Sequence, residues 1–259
     1  MRLYVFDHGE ARDMPREARV RTGAPFDPLD QVTIPCMSYL IETDKGPLLY
    51  DTGWSQRGGR SSGGWPPPEE KRIGRCLARL GYQPQDIPCV ICSHLHIDHA
   101  GELEQFTWAK VLVSQPELDM VRAAYARGNL AGHYVREDYE QWLHNQIDWQ
   151  PIPVSGRPMR LTQGVDLLSF GPGHANGMLC LILHLPRTGA VILASDAIYC
   201  AENIGPPLRP PGILVDERGY GRTVEALEEY KRAYRAQLWY GHDWEQFSAL
   251  KKADEGYYE

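Results

Sequence analysis

SHLHIDHAGE, residues Ser93 to Glu102, sets three histidines and an aspartate within six positions. Neither a core strand nor a solvated helix needs that density of metal-ligating groups. His94 and His96 follow the apolar run DIPCVIC with period-two spacing, so in extended backbone both rings leave the chain on one side. Asp98 and His99 come where the chain must turn. Adjacent residues project in different directions, so this one loop can serve two cations. Imidazole nitrogen and carboxylate oxygen are natural donors to zinc, and a catalytic zinc keeps one coordination position open. Four donors in one loop therefore exceed the needs of a single ion and point to a binuclear site.

A binuclear site needs further ligands, and three other segments supply candidates. SFGPGHANG (Ser169–Gly177) carries His174 in a Gly/Pro turn after the strand-like VDLLSF. VILASDAIYC (Val191–Cys200) carries Asp196 at the end of another strand, and LWYGHDWE (Leu238–Glu245) carries His242 after a short one. Each candidate falls at the carboxyl end of a predicted strand, where open α/β folds place their sites. Asp196 has two oxygens with which to bridge two cations, as no neutral imidazole can.

The rest of the chain alternates strand and helix. LYVFD (Leu3–Asp7), VTIPCMSYLIET (Val32–Thr43, interrupted at Pro35), GPLLY (Gly46–Tyr50), IPCVICS, AKVLVS, VDLLSF, MLCLILHL and GAVILAS read as strands. PPPEEKRIGRCLARLGY (Pro66–Tyr82) reads as a helix, with prolines before it, acids in its first turn and Gly81 near its end. RTVEALEEYKRAYRAQ (Arg222–Gln237) reads as another, with Val224, Leu227, Tyr230 and Tyr234 along one face. The stretch from Pro116 to Trp149 reads as helices broken near Gly128–Gly132. Ser55–Pro68 is a Gly/Ser loop carrying a lone Trp65. With no linker and no internal repeat, residues 1–259 are expected to form one α/β domain.

Composition narrows the function. The formal charge of -7 argues against nucleic-acid binding, which needs a basic face. The first residues, MRLYVFDHGEARD, lack a signal-peptide pattern, and apolar runs such as MLCLILHL are too short to span a bilayer. A soluble, cytoplasmic protein with no membrane partner is expected. Six cysteines in a chain this long do not form a disulfide framework. Cys89 and Cys92 make a CxxC, but residues three apart on a strand point to opposite faces, which favours plain core thiols over a metal pair.

The four-part pattern, HxHxDH followed by a PGH turn, a strand-end aspartate and a late histidine, resembles the metallo-β-lactamase superfamily. The likeness runs from about Leu3 to Phe247, LLYDTG included, and implies a four-layer αββα sandwich. Within the superfamily, IPCMSYLIETDKGPLLYDTG, SHLHIDHAG, SDAIYC and GHDWEQ are similar to segments of the N-acyl homoserine lactonases. That resemblance implies one cation on His94, His96 and His174, a second on Asp98, His99 and His242, and Asp196 bridging them. The ions would be divalent, zinc first, with iron, cobalt or manganese as alternatives. It further implies lactone-ring opening by a hydroxide shared between the ions, with Tyr199 and Asp98 as catalytic residues: Tyr199 polarises the carbonyl and Asp98 carries a proton to the leaving oxygen. Asp51 is expected behind the HxHxDH loop, holding it by hydrogen bonds. His8, His133, His144 and His184 are read as structural or exposed, and Trp54, Trp65 and the tyrosines of the broken helical stretch as candidate walls of an acyl-chain groove. A homodimer would fit the family. The sequence departs from the lactonase pattern at GHANGM and at HAGE, which puts pocket shape in question. Rival readings are another lactonase, a glyoxalase II-like thioesterase, an iron-dependent oxidoreductase and a non-catalytic metal-binding protein.

Overall fold

The structure is a computed structural model that describes residues 1–23, 27, 29–57 and 67–259. Trp65 lies outside the described residues. Eleven strands among them form two sheets. The first holds β1 (Arg2–Pro15), β2 (Gln31–Thr43), β3 (Gly46–Tyr50), β4 (Cys89–Ile91), β5 (Lys110–Ser114) and β6 (Asp148–Ile152), in sequence order. The second holds β7 (Met159–Thr162), β8 (Val165–Phe170), β9 (Met178–Leu185), β10 (Gly189–Ser195) and β11 (Gln237–Tyr240), also neighbour to neighbour. Antiparallel meanders β1–β2–β3 and β7–β8–β9–β10 give way to parallel pairing in β3–β4–β5–β6 and β10–β11.

Strand residues alternate between two apolar environments, which explains why the central strands read as continuous hydrophobic runs. Leu3, Val5, Ile41, Ile91, Leu181, Val191 and Leu193 meet between the sheets. After the short helix α1 (Arg16–Arg19) come α2 (Ile73–Arg79), α3 (Gln115–Ala126) and α4 (Arg136–His144), and the neighbours Tyr4, Phe6, Leu40, Val90 and Val111 face outward onto α2, α3 and α4. Ile182, Ile192 and Leu238 face outward from the other sheet onto Tyr220, Val224 and Leu227 of α5 (Glu217–Tyr234). Each fully buried aliphatic side chain contributes about 1.5–3 kcal/mol, and burial on both faces locks strand register. The layers run helix, sheet, sheet, helix, the αββα order expected.

Several local expectations are refined. β2 runs unbroken through Pro35. Pro66 lies outside the described residues, and from Pro67 to Tyr82 the chain is not one helix: a 3-10 turn at Glu69–Lys71 precedes α2, and Arg72 between them is extended. The carboxylate of Glu102 fixes that break, since it accepts from the Arg72 side chain (2.6 Å) and from the Ile73 backbone N–H (2.9 Å) that opens α2. The apolar face of α5 is Tyr220, Val224 and Leu227, while Tyr234 is exposed against His184. β6, β7 and the short helix α6 (Trp244–Ala249) had no clear sequence signal. Both strands lie at sheet edges and half in solvent, and β6 contains Pro151, so the alternating pattern is weak there. Cys89 sits toward the space between the sheets and Cys92 in the outer cluster, on opposite faces as expected, and all six cysteines are free thiols. Among the described residues no helix is long and apolar enough to cross a membrane.

Candidate metal centre

The loops that leave the strand ends converge at one edge of the sandwich. Asp51 follows β3, the His94–His99 loop follows β4, His174 follows β8, Asp196 follows β10 and His242 follows β11. Two of these turns start at non-glycine residues in left-handed backbone, Asp51 (φ 63°) and Ser195 (φ 48°). Such residues cost stability and are found where a sharp turn must aim a side chain. The histidine loop is tied to the Asp51 turn by backbone hydrogen bonds: Thr52 N–H donates to the His99 carbonyl (2.7 Å), Ser55 N–H to Ile97 (2.8 Å) and Gly101 N–H to Gly53 (2.9 Å). Gly101 is required by this contact, because a Cβ there would lie 1.9 Å from the Ser55 nitrogen.

All seven sequence-predicted donors come together, in two buried groups. His94, His96, His174 and Asp196 each offer an atom within 4.8 Å of the others, and so do Asp98, His99 and His242. Asp196 faces both groups. Its Oδ2 lies 3.2 Å from His174 Nε2 and 3.8 Å from His94 Nε2, and its Oδ1 lies 3.2 Å from His99 Nε2 and 3.1 Å from His242 Nε2. Asp98 Oδ2 lies 3.4 Å from both His99 Nε2 and His242 Nε2. His96 Nδ1 is 3.1 Å from His174 Nε2. His94 Nε2, His99 Nε2 and Asp196 Oδ1 are buried without a hydrogen-bond partner. Buried polar atoms are nearly always paired, so donor atoms left unpaired and aimed at a shared space fit divalent cations.

The far side of four of the five imidazoles is anchored, which decides the nitrogen left for a cation. His174 Nδ1 donates to the Ile213 carbonyl (3.0 Å) and His242 Nδ1 to the Pro35 carbonyl (2.8 Å). His99 Nδ1 donates to Asp51 Oδ2 (2.9 Å), and His94 Nδ1 meets the Ser93 hydroxyl (3.0 Å). Asp51 Oδ1 also accepts from the Ser93 N–H (2.7 Å), so Asp51 stands behind the loop as anticipated. Ser195 Oγ extends this network by donating to Ser93 Oγ (2.9 Å).

Electrostatics divide the site along the same line. Burial, and then the neighbouring imidazoles, hold His94 and His96 well below the usual histidine range; burial takes His174 down to about 4. Those rings are neutral and ready to donate lone pairs. Burial also opposes charge on His99 and His242, but the carboxylates of Asp196 and Asp98 outweigh it and raise both. Asp98 and Asp196 are themselves pulled down by the facing histidines against the opposing effect of burial. This half of the site thus attracts positive charge, which a cation or protons must satisfy.

Tyr199 is buried, with its ring 5.2 Å from that of His174 and 4.7 Å from that of His242. Burial, followed by the nearby Asp196 carboxylate, pushes its phenol well above the ordinary value, so it stays protonated. His8, His133 and His184 are structural or exposed as read, whereas Trp54 is not a groove wall. His133 is exposed, yet its ring lies 5.3 Å from that of His96 and its carbonyl accepts from the Ile97 N–H (2.9 Å). His8 is buried between the Ser38 hydroxyl (2.6 Å) and the Lys71 carbonyl (2.7 Å), and His184 meets Asp166 (3.0 Å). Trp54 packs in a buried cluster with Ala11, Ile34, Cys36, Ile97 and Val135. Glu102, the departure at HAGE, turns away from the donors to cap α2. Sequence reasoning passed over Ser93, Ser195 and Glu117, and took Tyr134 only as one of several candidate groove tyrosines. Ser93 and Ser195 had a signal, their places next to His94 and Asp196.

Comparisons with known proteins give the chain its family. The model of the metallo-beta-lactamase superfamily matches residues 33–236. The chain is 35% identical to the N-acyl homoserine lactonase AiiB of Agrobacterium fabrum, with 100% of this chain and 99% of that one covered. It is 31% identical to the N-acyl homoserine lactonase AiiA of Bacillus thuringiensis subsp. kurstaki, covering 83% and 84%. A solved N-acyl homoserine lactone hydrolase, with the product N-hexanoyl-L-homoserine at its catalytic metal center, superposes with a TM-score of 0.82 at 26% identity, over 100% of this chain and 98% of that one.

Proposed function

The chain belongs to the metallo-beta-lactamase superfamily, and from that premise we propose that it is an N-acyl homoserine lactonase, a hydrolase built on two divalent cations. The observation that carries the reading is Asp196, whose carboxylate lies within 3.3 Å of histidines from both groups, with Tyr199 packed against one histidine of each. We assign His94, His96 and His174 to one ion, Asp98, His99 and His242 to the other, and Asp196 to both. Zinc suits this nitrogen and oxygen set, and iron, cobalt and manganese share its donors. When bound, the ions supply a water acidified toward neutral pH and a Lewis acid for the substrate carbonyl.

The chain's own groups do the rest. Tyr199, kept protonated by burial, donates its hydroxyl hydrogen to the carbonyl oxygen as negative charge builds there. Asp98 is the more exposed of the two carboxylates, its side chain 12% exposed against 2% for Asp196. That position suits taking the proton that the attacking water gives up and passing it to the ring oxygen as the acyl carbon–oxygen bond breaks, while the water's oxygen stays on the carbonyl carbon, which yields a hydroxy acid. Asp51, Ile213 and Pro35 hold the imidazoles of His99, His174 and His242 in the tautomer that keeps Nε2 free. Six unpaired thiols suit a reducing compartment, and we place the enzyme in the cytoplasm.

The test is acid release from short- and long-chain N-acyl homoserine lactones in weak buffer, using zinc-loaded protein and its Asp196→Asn variant. Release by the former that is lost in the latter is expected. No release from any lactone by protein holding both ions would overturn the assignment and turn the search to thioesters.

A further inference from the structure

We propose that Glu117, on α3, is a positioning residue: its carboxylate sets the His94–His96 loop against the His174 loop and so controls how tightly that half of the site holds its cation. The inference rests on the two-cation reading above and not on the choice of substrate.

Glu117 is completely buried and forms no ion pair among the described residues. A carboxylate in that position is costly unless hydrogen bonds replace its water. Oε1 accepts from the Leu95 N–H (3.1 Å) and from the Tyr134 hydroxyl (2.9 Å), and Oε2 accepts from the Asn176 N–H (2.9 Å). The Gly177 amide adds a further donor. Leu95 stands between His94 and His96, and Asn176 stands two residues after His174. One side chain therefore spans the two loops that supply three of the four donors in this group.

Every group around Glu117 is a donor, and this is why a carboxylate is needed. A carboxylate offers acceptor sites on both oxygens, whereas an amide would set an NH₂ against one or other loop. The Tyr134 ring meets that of His96 edge-on at 4.7 Å, so its hydroxyl bond to Glu117 also braces a ligand ring. Space is tight as well: a Cβ on Gly177 would lie 2.1 Å from Ser114 Oγ, at the start of α3. The GHANGM departure thus changes a turn whose backbone amides do the work. Glu117 belongs to neither donor group, which makes it a positioning residue and not a catalytic one.

The experiment uses full-length protein stripped of metal and titrated with zinc against a chromophoric chelator. Wild type is compared with Glu117→Gln and Tyr134→Phe, with thermal melting as the fold control. Wild type should take up two equivalents. Glu117→Gln should keep one wild-type affinity and weaken the other by about 10–100-fold, the usual effect of losing a group that orients a ligand. Faster hydrogen exchange at the Leu95 and Asn176 amides should accompany the loss. Tyr134→Phe, which removes one of the donors, should fall between. Two zinc affinities within twofold of wild type in a folded Glu117→Gln protein would overturn the inference, even if melting is lowered. Should that variant not fold, Glu117→Asp and Tyr134→Phe decide by the same criterion. A wild type that fails to bind two equivalents would sink the two-cation reading and this inference together.

Discussion

Replacing Asp51 by asparagine isolates how the structure aims a ligand. The change keeps side-chain size, and asparagine is well suited to the left-handed backbone that Asp51 occupies at φ 63°. What changes is the acceptor set. Asp51 Oδ1 accepts from the Ser93 N–H (2.7 Å), while Oδ2 accepts from the Ser93 hydroxyl (2.8 Å) and from His99 Nδ1–H (2.9 Å). Either rotamer of the amide turns its NH₂ toward a buried N–H. If it faces His99, the imidazole must move its proton to Nε2, the atom that looks toward Asp98 and Asp196, and its lone pair is lost to the cation. If it faces Ser93, the amide that begins the histidine loop is left unpaired, at about 1–3 kcal/mol. Cation binding by the group of Asp98, His99 and His242 should weaken by about 10–100-fold, which is about 1.4–2.8 kcal/mol. Zinc competition with a chelator on stripped protein measures this directly, beside a melting curve. A folded Asp51→Asn protein with both wild-type zinc affinities would refute the claim that this hydrogen bond fixes the His99 tautomer.

Tyr199→Phe should lower kcat by about 10²–10³-fold, the usual effect of removing one oxyanion donor, with zinc content unchanged. Loss of zinc instead would assign Tyr199 to the frame of the site. Gly101→Ala drives a Cβ into the Ser55 backbone and should destabilise by at least about 1–3 kcal/mol; an unchanged urea midpoint would show that the contact relaxes freely. Burial lowers His8 from 6.5 to about 4 in the fold. The unfolded chain therefore gains a proton below pH 6.5 that the folded chain refuses until about pH 4, so stability present above that window is lost as pH falls through it, by up to about 3 kcal/mol. His8→Gln should flatten the urea midpoint against pH between 6.5 and 4, and a slope parallel to wild type would count against it. The proposed ligands come from loops of both sheets, so chelation should loosen the sandwich: at a thousandfold excess of zinc over Kd, one site adds about 4.1 kcal/mol, and equal melting with and without chelator would contradict that.

How far the sequence could be read follows from where the chemistry lies. His94, His96, Asp98 and His99 stand out because no structural demand accounts for them, and His174, Asp196 and His242 because each follows a strand. Strands buried on both faces were plain for a similar reason: β9 and β10 are unbroken apolar runs. Glu117 was silent because nothing in PELDMV says that its side chain is buried. In sequence Glu117 is an ordinary first-turn acid of α3. The start of α2 was misjudged because its boundary is set by Glu102, 29 residues beyond Ile73. Edge strands β6 and β7 were missed because half-solvated backbone leaves little trace in side-chain pattern.

The two departures from the lactonase pattern illustrate the difference between a donor and its support. At HAGE, Glu102 reaches away from the cation space to Arg72 and the head of α2, so its carboxylate adds no negative charge among the ligands. At GHANGM the contact that matters is the Asn176 backbone N–H, which any residue but proline provides. The positions proposed as ligands have no such freedom, because the one carboxylate of Asp196 has to reach both histidine groups. Change is therefore absorbed where only the backbone, or a helix end, is being held. The specificity of the pocket is free to vary around a donor set that cannot.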